Sequence, residues 1–478
     1  MFLSKISHPF NLVIFGASGD LAKLKLFPAL YELALQRRFP DHYVILGYGR
    51  SPMSEGDFRK EVSDSVLSAF GKKTDRKTLQ GLLGHCHYFQ GQYDQAADFK
   101  RMAQALSALH GGKTAETVAY FAVPPSVFKP IIERLAGARS LLGKGLKIIL
   151  EKPVGNSEES AIDLFHFTSR FFDPSEIFLL DHYLGKAAVQ SILPLRYNNV
   201  ILDTLLKGSR IANIQICALE EVGVDKRVGY FETVGIIKDM IQSHLMQILA
   251  LFTMSLPVKP DHASIRRERV NLFSSLRYSD KPCGMVLGQY QSYKREKGVA
   301  KGSETPTFAA IRFFIDLLDW YQVPIYIRTG KRLRHKHTFV VVEFKKPAFQ
   351  QNGKKTESNK LVIELFPEEK IQIRLVNEEG KMITKFREVI SAESLACTGD
   401  DCLPEHGRLI LDAFLDNRSH FLSFEEVIAC WKFVDSLMAC QKKHRIPVTH
   451  YEDGSEGPQA MHQLIRQDNF DWYDPNRP

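Results

Sequence analysis

The chain has no apolar run long enough to cross a bilayer. Ile248 to Leu256, one of its longest, is short and mixed, whereas a spanning helix needs roughly 20 apolar residues. The stretch Met1 to Phe10 lacks the charged-then-apolar pattern of an export signal, so the expected location is cytoplasmic, with no membrane as partner. Cysteine is scarce: seven, an odd number with no paired framework, fit a reducing compartment. His85-Cys86-His87 is the nearest thing to a metal motif, but no second ligand cluster follows it, and no metal is expected. Internal repeats and low-complexity linkers are missing too. Basic clusters such as Arg332 to Lys336 are short and carry no interleaved aromatics, which argues against nucleic acid. What is present is ordinary globular composition: 478 residues, 44% hydrophobic and 25% charged, enough for two or three domains. A formal charge of +8 mildly favours anionic ligands.

Asn11 to Phe15 is an apolar run that breaks into Gly16-Ala17-Ser18-Gly19-Asp20 and then into a helical pattern from Leu21. Strand, glycine turn and helix in that order suit a pyrophosphate, because glycine admits close backbone approach and a helix amino end offers free N–H groups. A second strand, Tyr43 to Gly47, leads to Arg50. Proteins that bind NAD place an acidic residue there for the ribose hydroxyl; arginine points to a 2′-phosphate, or is an exposed loop cation. Further strands are predicted near His87–Phe89, over Thr117–Val123 and over Lys147–Leu150, the last ending at Glu151-Lys152-Pro153. Proline pushes Lys152 away from helix, onto an extended turn at the ligand edge.

Ile177 to Leu180 reads as a buried strand that turns abruptly polar at Asp181-His182-Tyr183-Leu184-Gly185-Lys186. Ligands in open α/β sheets lie outside the carboxyl ends of the strands. A helix starting here would set His182 and Lys186 four apart on one face, a geometry that suits a phosphate; the alternative is a surface turn with a solvated lysine. Beyond this point the pattern alternates, in Ile211–Leu219, Met285–Tyr290, Ala309–Ile315, Phe339–Phe344 and Ile371–Leu375, as expected of an antiparallel sheet with one solvated face. The fold class is therefore α/β plus α+β: a doubly wound, Rossmann-like dinucleotide domain over residues 1–180, then a larger α+β domain with a mainly antiparallel sheet over 181–478. Within Gly235 to Phe252, Ile237, Met240, Ile241, Ile248 and Leu251 fall at helical spacing and His244 interrupts that stripe. Alone, such a histidine is a satisfied core residue. Asp239, five residues earlier, is expected about 140° around an α-helix from it, where it also complements the helix amino end.

The motifs together resemble the glucose-6-phosphate dehydrogenase family. DHYLGK, at Asp181 to Lys186, is similar to that family's signature, which continues with a glutamate where this chain has Ala187. The resemblance implies that Asp181 orients a catalytic histidine later in the chain, and that His182, Tyr183 and Lys186 hold the substrate phosphate. Gly16 to Lys25 is similar to the family's GASGDLAKxK, which assigns Gly16, Ser18, Gly19, Asp20 and Leu21, with Arg50, to NADP. Lys152 falls in an EKP motif shared with other sugar oxidoreductases and is assigned to both ligands. GIIKDM…H resembles the second signature, whose histidine, here His244, is the general base and whose Asp239 contacts substrate. Glu220 is matched to a residue that binds sugar hydroxyls. Pro324 to Lys336 resembles a stretch in which Lys331 binds substrate and Lys336 assists with phosphate. Members that read I-R-x-Q-P differ from Ile363-Glu364-Leu365-Phe366-Pro367: Phe366 lacks the hydrogen bonds of a substrate-contacting glutamine, and Glu364 argues against a second, structural NADP.

The resulting expectation is an NADP-dependent oxidation of glucose 6-phosphate at its anomeric carbon, by a homodimer or homotetramer. A dehydrogenase of another hexose phosphate and a non-catalytic, nucleotide-binding regulator are the alternatives.

Overall fold

The computed structural model describes residues 5–112, 115–143, 145–279, 283–346, 357–376 and 403–475. It divides into two compact units, Met1–Lys186 with Thr398–Val427, and Ala187–Cys397 with Ile428–Pro478.

The first unit is built on a six-stranded sheet: β1 (Phe10–Phe15), β2 (Tyr43–Gly49), β3 (Cys86–Gln90), β4 (Glu116–Phe121), β5 (Leu146–Leu150) and β6 (Ile177–Leu179). Their order is β3-β2-β1-β4-β5-β6 and every pairing is parallel. All six residues of β1 are buried, as a strand covered by helices on both faces must be. The two helices between β2 and β3, Glu55–Phe70 and Arg76–Gly84, start on side-chain caps: Ser54 accepts from Asp57 N–H and Asp75 from Thr78 N–H. Strand order reverses between β1 and β4, which places the ligand crevice at their carboxyl ends.

Residues after 180 were all expected in the second domain, yet the first unit extends to Lys186 and also takes in a later stretch. The helix Glu405–Phe414 buries Leu409, Ile410, Ala413 and Phe414 in the same core as Phe10 and Tyr43, and the Phe10 and Phe414 rings lie 4.3 Å apart. Lys147, 7% exposed, joins this return to the sheet through Glu116 (2.6 Å), Asp416 (2.8 Å) and the Ala413 carbonyl (3.1 Å). An amphipathic helix shows which of its faces is buried but not against what, so the pattern alone could not assign it.

The second unit holds a nine-stranded sheet of β7 (Ile211–Leu219), β8 (Leu276–Tyr278), β9 (Met285–Tyr290), β10 (Phe308–Ile315), β11 (Ile325–Gly330), β12 (His337–Phe344), β13 (Lys360–Phe366), β14 (Lys370–Arg374) and β15 (Val448–Tyr451). The path is β14-β13-β12-β7-β11-β10-β9-β15, with β8 on β10. It is mostly antiparallel, but β7 pairs β11 and β15 pairs β9 in parallel. The mainly antiparallel character is as expected; alternation reports which side chains share a face and is silent on strand direction, so it does not tell which two pairs run parallel.

A second departure concerns cysteine. Cys283 and Cys440, both buried, form a disulfide across 157 residues of sequence, a pairing that spacing could not reveal. Cys86, Cys217 and Cys430 are free and buried, while Cys397 and Cys402 lie outside the described residues. Among the described residues no helix is long and apolar enough to cross a membrane.

Candidate active site

In the first unit the candidate residues gather at the carboxyl ends of β1, β2, β5 and β6. Gly16 ends β1 with φ +83°, its N–H donating to the Tyr48 carbonyl at 3.0 Å, and Gly19 N–H donates to the Gly16 carbonyl at 2.9 Å. A Cβ on Gly16 would meet the Ala122 carbonyl oxygen at 2.3 Å and Val123 at 2.8 Å. Only glycine fits that turn, where φ is positive as well. Ser18 and Asp20 are exposed at the amino end of the following helix, with Leu21 partly buried beside them. Arg50 is exposed beyond β2, its guanidinium 5.5 Å from the Tyr93 ring centre. Burial, set against Arg50, raises the Tyr93 phenol. The Tyr93 ring also lies 6.3 Å from that of Phe15, the last residue of β1 before the glycine turn, so it links that strand end to the arginine, and nothing in the local sequence marked it.

Asp181 is 1% exposed, and its carboxylate accepts the Tyr183 N–H at 3.0 Å. It caps a 3₁₀ turn, His182–Gly185, after which Lys186 is extended before the helix Ala187–Asn198 begins. His182 and Lys186 therefore do not share a helical face, because the tighter turn and the extended residue break the four-residue register. Lys186 instead lies 5.2 Å above the Tyr183 ring and 2.7 Å from the Glu405 carboxylate. His182 stacks on His406 at 6.2 Å with 12° between the rings. His406 is 3.5 Å from Glu151, which accepts the Tyr120 hydroxyl at 2.5 Å. Burial first, and the Glu151 charge second, raise the Tyr120 phenol well above its ordinary value. Glu405 and His406 sit 219 or more residues from the motif they support. Lys152 is half-buried just beyond β5, next to Glu151.

In the second unit, Ile237–Leu245 is π-helical and almost wholly buried; Met246 N–H reaches back five residues to the Ile241 carbonyl. The preceding Gly235, at φ +65°, sets the break before it. A π-turn holds more residues than an α-turn, so residues five apart fall closer to one side of it. Asp239 (4% exposed) and His244 (1%) are both buried, and in this segment they stand nearer one side than the roughly 140° of an α-helix. π-turns are rare and concentrate at functional sites. Beside Asp239 is Lys331, 1% exposed just after β11, with Glu220 at 2.5 Å and Asp239 at 3.8 Å. A buried ammonium without such partners would cost several kcal/mol. Burial, then the Asp239 charge, also raises the Tyr230 phenol. Glu220 is fixed by its own N–H, which donates to the Gly330 carbonyl at 2.9 Å.

Lys336 is exposed, 4.0 Å from the Phe366 ring centre, with its backbone N–H on Glu221. The two positions flagged on the substrate side thus touch each other. Glu364, nearby in β13, is paired with His337 (2.5 Å) and Lys370 (3.0 Å); burial pulls its carboxyl up, but these partners hold it below the ordinary value.

Family models described as the NAD binding domain and the C-terminal domain of glucose-6-phosphate dehydrogenase match residues 13–191 and 193–473. The chain is 32% identical to the glucose-6-phosphate 1-dehydrogenase of Dickeya dadantii, covering 99% of each, and 32% identical to that of Cyberlindnera jadinii, covering 97% of this chain and 96% of the relative. A solved glucose-6-phosphate dehydrogenase in complex with its substrate glucose-6-phosphate superposes with a TM-score of 0.90 at 29% identity, covering 98% of this chain and all of that one.

Proposed function

The chain belongs to the glucose-6-phosphate dehydrogenase family, and from that premise we infer how its residues divide the work. It is an oxidoreductase that converts glucose 6-phosphate to 6-phosphogluconolactone, the first step of the pentose phosphate pathway, with a nicotinamide dinucleotide as partner. When bound, the nicotinamide supplies the hydride acceptor. The glycine turn fits that group, since Gly16 has no space for a side chain and the helix after Gly19 offers its amino end to a pyrophosphate. We read the dinucleotide as NADP. Arg50, exposed and seated over Tyr93, stands where NAD users place a carboxylate, and a guanidinium matches the geometry of a 2′-phosphate. Ser18, Asp20, Leu21 and Lys152 complete the assignment.

His244 takes the proton from the anomeric hydroxyl as the hydride leaves that carbon, and Asp181 is the carboxylate that the family resemblance pairs with this base. Lys331, Glu220 and Asp239 bind sugar hydroxyls. His182, Tyr183, Lys186 and Lys336 hold the phosphate, and binding at this remote end orients the reacting carbon. Glu405 stands in for the glutamate that follows the lysine in the resembled signature, since it supplies Lys186 with a carboxylate where Ala187 cannot.

The observation that carries this reading is the π-helical segment: it sets a buried imidazole nearer the side of Asp239 than an α-helix would, and Asp239 itself reaches a buried lysine. The test is absorbance of the reduced dinucleotide with NADP and a panel of hexose phosphates. Glucose 6-phosphate should give the highest kcat/KM; a better substrate elsewhere in the panel would reassign the sugar, and no turnover with any would leave a nucleotide-binding regulator.

A further inference from the structure

We propose that Cys283, Cys440 and His444 form a zinc site when the disulfide is reduced, and that forming the disulfide closes it. The three are separate from every residue assigned to the reaction. Cys440 and His444 stand four apart on the helix Phe424–His444 and so share a face. Cys283 comes from the turn two residues before β9, and its sulfur, the Cys440 sulfur and a His444 ring nitrogen all lie within 4.8 Å of one another. Zinc bonds of about 2.3 Å to sulfur and 2.0–2.1 Å to nitrogen set tetrahedral donors roughly 3.5–4 Å apart, so small side-chain rotations suffice.

The backbone that presents Cys283 is held firmly. Cys283 and Gly284 have φ of +63° and +54°, the Arg312 N–H donates to the Gly284 carbonyl at 2.7 Å, and a Cβ on Gly284 would meet the Arg312 carbonyl at 2.5 Å. Of the other two donors, His444 ends its helix and Cys440 lies one turn before it, near the carboxyl end, whose partial negative charge favours a cation. His444 is exposed while both cysteines are buried, so metal enters from the imidazole side and water takes the fourth position, an open arrangement rather than a closed structural one.

Chemically, an added dithiol gives two electrons and two protons to the S–S bond and closes to its own disulfide; in the reverse direction a small-molecule disulfide takes two electrons and two protons from the Cys283 and Cys440 thiols, leaving as two thiols while the S–S bond re-forms. Zinc binding then displaces both thiol protons, leaving two thiolates and a neutral imidazole as ligands. In the oxidised chain neither sulfur carries the charge a zinc ligand needs, and the same three side chains bind no metal.

The experiment uses the untagged full chain, reduced anaerobically with a dithiol, desalted, and titrated with Zn²⁺ or Co²⁺. Reduced protein should bind one metal ion per chain, with thiolate-to-cobalt charge-transfer absorption, and oxidised protein should bind at least 100-fold more weakly. His444→Ala, at an exposed position, should weaken binding at least tenfold with the thiol count unchanged, and Cys283→Ser should abolish the charge-transfer band at this site. Equal metal binding by reduced and oxidised protein overturns the proposal. So does an unaltered affinity in His444→Ala, which decides the matter even if the serine variant fails to fold.

Discussion

A histidine buried to 1% exposure and a lysine buried to the same degree are expensive to keep, and the chain keeps both within one unit. His244 alone was indistinguishable in sequence from a core histidine; the motif around it, through family resemblance, distinguished it. Replacing it with Asn should lower kcat by roughly 10²–10⁴ with little change in KM, the usual worth of a positioned base; turnover within threefold of normal would remove His244 from the mechanism. Arg50 is proposed for a different reason, since the acidic residue that NAD users place after the second strand is missing there. Arg50→Ala should weaken NADP binding by about 10–100-fold, the loss of a charge-assisted contact worth about 1.5–3 kcal/mol, and leave NAD binding nearly unchanged. Equal loss for both dinucleotides, measured by titration, would show that Arg50 does not read the 2′-phosphate. Tyr93, Glu405 and His406 were not legible at all, because each acts on a residue distant in sequence and no local pattern marks such a partner.

Elements were read well where they obey a simple period. Ile211–Leu219 and Met285–Tyr290 appear as β7 and β9 with the expected bounds, and β1, β5 and β10 begin one residue earlier than expected. The misses are elements whose hydrogen bonding departs from the regular period, or whose packing partner lies far away in sequence, while their apolar pattern shows neither. Ile237–Leu245 carries the same stripe whether bonded i→i+4 or i→i+5, yet the angle between Asp239 and His244 depends on which. The 3₁₀ turn His182–Gly185 is a second case, since four residues are too few to show any period. The returning helix Glu405–Phe414 is a third, and its packing gives a direct prediction. Phe414 is 2% exposed against Phe10, and truncating a buried phenyl costs about 3–5 kcal/mol. Phe414→Ala should therefore lower the thermal midpoint by several degrees, and an unchanged midpoint would mean that this helix contributes nothing to the first unit.

At the scale of the whole molecule, the residues proposed for the chemistry come from two units: the glycine turn, Arg50, Lys152 and the Asp181–Lys186 motif from one, and His244, Asp239, Glu220, Lys331 and Lys336 from the other. Composition anticipated a globular chain of more than one domain and a taste for anions, but not the disulfide, because residues 157 apart meet only once the fold exists. The proposed mechanism turns on what leaves the anomeric carbon and where it goes. The measurement is turnover of glucose 6-phosphate deuterated at that carbon, with NADP, followed by mass spectrometry of the reduced dinucleotide. The account predicts one deuterium in each reduced dinucleotide formed and none lost to water, in the native chain and in the residual activity of His244→Asn alike. Deuterium appearing in the solvent, or staying on the sugar while the dinucleotide is reduced, would contradict it.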